Sequence, residues 1–113
     1  MVIKMYEELI EPTRVLMKKG ISKVPSNDEE VVLKIFGQNV LNAILKLKHD
    51  FFKTDAYKLY NDKPNWDLIY QKAKYDFKTK HPTCCDELIE LFWWAYSFLL
   101  WKDGGISDTG IVM

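Results

Sequence analysis

The fold of this chain depends on the stretch ELFWWAYSFLLW, residues 90–101. Ten of its twelve side chains are apolar or aromatic, and three of them are tryptophans. A tract of about a dozen apolar residues is too short for a bilayer, which a helix crosses with about 20. Asp86 and Glu87 also lie just before it. We therefore expect a core helix and not a membrane span.

Placing the residues of this helix at about 100° per position separates two faces. One broad apolar arc, typical of a central helix in a bundle, holds Leu88, Phe92, Ala95, Tyr96 and Leu99. The remaining sector holds Glu87, Glu90, Trp94, Ser97 and Trp101. The two tryptophans of this sector are seven residues apart, so they lie one above the other on a face that is otherwise polar. They are either covered by the rest of the fold or exposed as a contact face for another molecule.

Apolar spacing predicts three more helices upstream, and no alternating run predicts a strand. The first covers Val2 to Lys19 and is kinked or divided at Pro12. The second runs from Ser26 to Phe52 and starts with Ser26 and Glu29 as a capping box. The third starts at Pro64 or Asn65 and ends before Pro82, and a short helical turn capped by Thr54 precedes it. We expect Thr83 to cap the last helix, with Asp86 three residues further on.

These segments predict an all-α protein, a compact bundle of four to five helices with a central aromatic C-terminal helix. At 113 residues, we expect residues 1–113 to form a single helical domain, with residues 104–113 as a loosely ordered tail. The 16 basic and 16 acidic residues balance, so net charge gives no attraction to nucleic acid or to an anionic membrane. The first residues do not resemble a secretory leader, and we expect a cytoplasmic location.

Reactive side chains come close together in HPTCCDE, residues 81–87. Cys84 and Cys85 are predicted in the first turn of the last helix, where the helix dipole favours a thiolate, and His81 is a conceivable base. The simpler interpretation is a pair of inert, packed thiols, because free cysteine behaves as a small hydrophobe. Adjacent cysteines also lack the spacing of zinc ligands, so no metal and no cofactor is predicted.

Two other patterns have functional interpretations. Segment 53–80 has a local net charge of +3, and its tyrosines and lysines, above all Lys72, Lys74, Tyr75, Lys78 and Lys80, resemble a nucleic-acid-binding surface. The carboxylates of Asp86, Glu87 and Glu90, with Glu29 and Glu30, would suit a small metal-dependent hydrolase. Simpler interpretations are a solvated helix face for the first and acids placed at helix starts for the second.

No nucleotide-binding or serine-hydrolase motif occurs in the sequence. The favoured prediction is therefore a small non-catalytic protein that binds another protein, as an inhibitor or neutraliser of the immunity-protein, antitoxin or phage-encoded antagonist type. Its contact residues are predicted to be Glu87, Glu90, Trp94, Ser97 and Trp101. A second copy of the chain, giving a homodimer, is the other candidate occupant of this face.

Overall fold

The computed structural model describes residues 6–61 and 63–103, and these form α-helices and short 3-10 helices with no strand. The α-helices are α1 (Ile10–Met17), α2 (Glu29–Phe36), α3 (Gln38–Phe52), α4 (Trp66–Lys80) and α5 (Asp86–Asp103). The 3-10 helices cover Tyr6–Leu9 and Asp55–Leu59. The prediction of an all-α bundle is confirmed, whereas the predicted tail 104–113 lies outside the described residues. No helix within these ranges is long and apolar enough to cross a membrane.

The first predicted helix is divided, with a 3-10 turn before α1. Pro12 lies in the first turn of α1, where a backbone N–H has no partner inside the helix, so its missing donor costs nothing there. The helix ends at Met17 because Lys18 adopts a left-handed conformation with φ of 57°. Its backbone N–H then caps the carbonyls of Arg14 and Val15.

The prediction of one helix from Ser26 to Phe52 is wrong. Gly37, with φ of 93° and ψ of 170°, separates α2 from α3, and only glycine adopts this conformation without strain. The capping box at Ser26 is also wrong, because the side chain of Asp28 accepts the hydrogen bond from Val31 N. The break rotates α2 relative to α3. Leu33 has the same three- and four-residue spacing as Phe36, Val40 and Ile44, yet it is 42% exposed, whereas Val32 is fully buried.

The last helix lies at the centre of the bundle, as its apolar arc predicts. Phe92 and Tyr96 of α5 pack against Phe51 of α3, with ring centroids 6.0 and 5.6 Å apart. The ring centroid of Phe77 in α4 lies 5.3 Å from that of Phe51 and 6.1 Å from that of Phe92. This aromatic core joins three helices, and α1 packs against α5 and closes the bundle.

The start of α5 differs from its prediction. Thr83 is exposed and does not cap the helix, which begins at Asp86, three residues after Thr83. The turn that follows Pro82 is closed by a hydrogen bond from Cys84 N to the carbonyl of His81 (3.1 Å). The first helical hydrogen bond then runs from Ile89 N to the carbonyl of Cys85 (3.2 Å). Both cysteines therefore precede α5 and do not lie in its first turn.

Candidate functional site

Two cavities along α5 adjoin at Trp66 and Trp93, which line both, and we call the two together the aromatic groove. The larger end, about 860 Å³, lies between the end of α1, the start of α4 and the first turns of α5. The smaller end, about 390 Å³, follows the outer side of α5. The floor of the groove is aromatic at both ends.

The smaller end contains the exposed aromatic side chains of α5. Its lining adds Trp94, Ser97, Phe98 and Trp101 to the two shared tryptophans. The indole of Trp101 is 65% exposed, and its ring centroid lies 6.1 Å from that of Phe98, which is half-buried. Trp94 is also half-buried, and the ammonium of Lys19 lies 4.3 Å from its ring centroid. The fold therefore covers Trp94 in part and leaves Trp101 largely uncovered.

The shared floor is held by the core beneath it. Trp66 is the first residue of α4, and the side chain of Asn65 caps that helix by accepting from Leu68 N (3.1 Å). The ring of Trp93 lies 6.3 Å from that of Trp66 and stacks at 5.9 Å on the fully buried Tyr96. Trp93 is therefore packed directly on the core, and Trp66 packs on Trp93 and Tyr60.

The larger end is lined by charged side chains of both signs: Arg14, Lys19, Asp67, Glu87 and Glu90. Arg14 pairs with Glu87 across the wall, with Nη2 to Oε2 at 3.0 Å, and lies 3.8 Å from Glu11. Neither Asp67 nor Glu90 forms an ion pair with any residue in 6–61 or 63–103, and both side chains are exposed. The larger end therefore combines one compensated ion pair with two carboxylates available to a ligand.

Helix α4 contributes Tyr70 to the wall of the larger end. Its ring lies 5.2 Å from that of Trp93. Burial raises the pKa of the Tyr70 hydroxyl, the nearby charge of Lys74 lowers it, and the carboxylates of Glu90 and Asp86 raise it further. A tyrosine hydroxyl is neutral at physiological pH even at its ordinary pKa, so Tyr70 is a neutral hydrogen-bond donor there.

The five residues predicted as a contact face all line the aromatic groove, with Glu87 and Glu90 at the larger end and Trp94, Ser97 and Trp101 at the smaller. Sequence reasoning missed Trp66, Trp93 and Phe98. Trp93 and Phe98 border the predicted sector at about 100° per residue, so a wider sector would have included them. Trp66 belongs to another helix, and no pattern along the chain indicates that it meets α5.

The lysines proposed for nucleic-acid binding lie along α4, and most of them have acidic partners. Lys72 pairs with Asp76 at 3.0 Å, and Asp86 lies 3.3 Å from Lys74 and 3.7 Å from Lys78. These contacts reduce the positive charge that the helix presents to a phosphate backbone. Lys80 and Tyr75 are exposed, the tyrosine at 69%.

The carboxylates proposed for a metal site are not brought together. Within the described part of the chain, no group of three or more His, Cys, Asp or Glu side chains could hold a metal ion. Glu87 pairs with Arg14, whereas Glu29 accepts a hydrogen bond from the amide of Asn27 at 3.0 Å. The thiols also differ from a reactive pair, because Cys84 is buried and burial raises its pKa to about 12.

Comparisons of the chain with family models, with curated proteins and with solved structures found no match. The aromatic groove has three properties relevant to function: an exposed indole, an aromatic floor packed on the core, and two carboxylates that have no ion-pair partner among residues 6–61 and 63–103.

Proposed function

We propose that this chain is a non-catalytic protein-binding protein that docks another protein in the aromatic groove and thereby neutralises it. The observation that carries the proposal is the indole of Trp101, 65% exposed at the end of a helix whose other face is the centre of the core. Phe98 and Trp94 extend this apolar surface toward the floor. Tryptophan is among the residues most enriched at binding hot spots, where its truncation costs about 2 kcal/mol or more.

The construction of the groove supports docking in a second way. Trp93 is stacked on Tyr96 and touches Tyr70, so the floor is ordered before any partner arrives. A partner then loses less conformational entropy on binding than it would on a flexible surface. The charged rim of Arg14, Glu87 and Glu90 would add orientation and selectivity to the apolar contact.

The inhibitor or neutraliser role follows from how such a groove would act. A small helical protein with a preformed apolar groove can cover a functional surface of a larger protein without any chemistry of its own. We propose the immunity-protein, antitoxin or phage-encoded antagonist class for the chain, because its length of 113 residues and the lack of a nucleotide-binding or serine-hydrolase motif suit a protein that acts by binding.

The test is capture of the partner from host lysate, followed by affinity measurements with Trp101→Ser. Tyr75→Ser is the matched control, because Tyr75 is 69% exposed on α4 and does not line the groove. We expect Trp101→Ser to weaken the complex by about 30-fold or more. Tyr75→Ser should leave the affinity unchanged, and circular dichroism should show equal helix content in both variants. Equal affinity of the wild type and Trp101→Ser would contradict the proposal.

The mass of the purified chain in solution distinguishes the two occupants. If the groove binds another protein, sedimentation should show a monomer for both the wild type and Trp101→Ser. A wild-type dimer that dissociates in Trp101→Ser would instead identify a second copy of the chain as the occupant, and would contradict docking of a different protein.

A further inference from the structure

We infer that the larger end of the aromatic groove is a receptor for an arginine side chain presented by the docked protein. This inference rests on the proposed function and deepens it, because it names the chemistry that the partner must place beside Trp66, Tyr70 and Trp93. It would make arginine, and not a purely apolar anchor, the residue that fixes the register of the partner along α5.

The charges at the larger end are the first support. Two basic and three acidic side chains line it, and the Arg14 to Glu87 contact at 3.0 Å compensates one of each sign. Lys19 is directed at the ring of Trp94, at 4.3 Å, in the adjoining smaller end. The carboxylates of Asp67 and Glu90 have no ion-pair partner among the residues that the structure describes. A cationic ligand in the larger end would therefore have two lining carboxylates with which to pair.

The aromatic walls are the second support. Trp66, Tyr70 and Trp93 line the same cavity as these carboxylates. The ring planes of Trp66 and Tyr70 are inclined at 70° and 55° to that of Trp93. The negative face of an aromatic ring attracts a cation within about 6 Å of its centroid. The chain already uses this attraction at the edges of the groove, since Lys19 lies over Trp94 and Lys74 lies 5.8 Å from the centroid of Tyr70.

The combination of carboxylates and aromatic rings favours a guanidinium group over an ammonium group. A guanidinium is planar and weakly hydrated, so it stacks on an indole while its edge donates to carboxylates. A lysine ammonium is a compact, strongly hydrated charge that uses the carboxylates but gains less from the ring faces. The larger end, at about 860 Å³, also has room for the whole arginine side chain.

The inference can be tested on the isolated chain with small probes. Ethylguanidinium represents the arginine side chain, and ethylurea is its neutral isostere. The measurement is the displacement of the indole N–H signals of Trp66 and Trp93 in proton–nitrogen NMR spectra at low salt. We expect saturable shifts with ethylguanidinium, none with ethylurea, and weaker binding as salt is added, because ions screen the carboxylates.

The variants Glu90→Gln and Asp67→Asn remove the two carboxylates while keeping the size of the side chains. Each should weaken ethylguanidinium binding by about threefold, the effect of losing one solvent-exposed ion-pair partner. Glu30→Gln is the matched control, since it removes the same charge from the exposed start of α2, outside the groove. It should leave binding unchanged.

Several outcomes would overturn the inference. They are equal shifts with ethylguanidinium and ethylurea, tighter binding of tetramethylammonium than of ethylguanidinium, or equal losses in Glu30→Gln and Glu90→Gln. A captured partner that requires Trp101 but binds Glu90→Gln and Asp67→Asn as tightly as the wild type would overturn this inference alone and leave the proposed function standing. Guanidinium binding without any Trp101-dependent partner would overturn the proposed function, and would leave a guanidinium site on the chain with no docked protein to present the arginine.

Discussion

The imidazole Nε2 of His81 lies 2.8 Å from Oδ2 of Asp50, and this contact joins the C-terminal ends of α3 and α4. An ionised carboxylate only accepts hydrogen bonds, so Nε2 is the donor. Lys46 donates to the same carboxylate at 2.9 Å, and the hydroxyl of Tyr6 lies 3.3 Å from His81 Nδ1. Although its side chain is charged, Asp50 is only 6% exposed. The contact to His81 is the reason, because it turns the carboxylate inward.

This buried pair predicts loss of stability in acid. Burial opposes ionisation of Asp50, but the hydrogen bonds and charges of His81 and Lys46 outweigh it and lower its pKa below the ordinary 3.8. The unfolded state therefore binds a proton at higher pH than the folded state. The stabilisation is complete above the ordinary pKa and is lost as the pH falls through the lower folded-state value. Urea unfolding of the wild type across this range should show the decrease.

The variant Asp50→Asn tests whether the charge of Asp50 causes this loss of stability in acid. It keeps an acceptor for His81 but loses the charge that Lys46 and His81 hold, so we expect it to cost about 2 kcal/mol at neutral pH. The difference in unfolding free energy between the variant and the wild type should shrink as the pH falls. A difference that stays constant down to strongly acidic pH would show that the charge of Asp50 does not stabilise the fold.

The backbone conformation of Gly37, at the break between α2 and α3, should make any side chain at this position destabilising. A Cβ at this position would meet nothing within 4 Å, but φ of 93° with ψ of 170° is unfavourable for any L side chain. We expect Gly37→Ala to lower the free energy of unfolding by about 2 kcal/mol, all of it from backbone strain. Asn39→Ala, on the exposed first turn of α3, is the control and should change stability little. If Gly37→Ala were as stable as the control, the break would not depend on glycine.

The two cysteines should differ sharply in reactivity. Burial raises the pKa of the Cys84 thiol to about 12, and its side chain is 2% exposed, whereas Cys85 is half-buried. At pH 8 about one Cys84 in ten thousand would be a thiolate. In Cys85→Ser, alkylation by iodoacetamide should therefore be slow until urea unfolds the chain, whereas Cys84→Ser should react readily. Equal rates in the two folded variants would contradict the inert role of Cys84.

The helices that sequence patterns predicted well are those whose ends are marked locally. Asn65 caps α4 by its own side chain and Pro82 stops it, so short-range chemistry determines both ends. The apolar arc of α5 could likewise be predicted from the spacing of its apolar residues alone. The break at Gly37 was missed because a glycine inside a continuous apolar stripe is compatible with an uninterrupted helix, and the rotation of α2 becomes visible only in the packed bundle.

The groove could be predicted only in part, for a similar reason. Trp94 and Trp101 share a sector with Glu90 on one helix, and this periodicity is visible in the sequence. The floor needs Trp66, which is 27 residues from Trp93 and reaches it because α4 packs against α5. The same limit applies to Asp50 and His81, where a polar face and a helix end give no sign that their side chains meet.

Tyr96 predicts a loss of stability in alkali. It is fully buried, and in the described residues neither its hydroxyl nor the nearby hydroxyl of Thr54 has a hydrogen-bond partner of good geometry. Burial raises the pKa of Tyr96 from 10.0 to about 12, although Thr54 and the backbone of Tyr57 lower it in part. The unfolded state then releases its proton first, so stability decreases as the pH rises from about 10 to about 12, by about 2 kcal/mol.

Tyr96→Phe should remove this part of the decrease. The variant should be as stable as the wild type or more stable at neutral pH, because it buries no unsatisfied hydroxyl. Chemical denaturation of both proteins across this range is the measurement, and parallel pH profiles would mean that the Tyr96 hydroxyl is not desolvated in the fold.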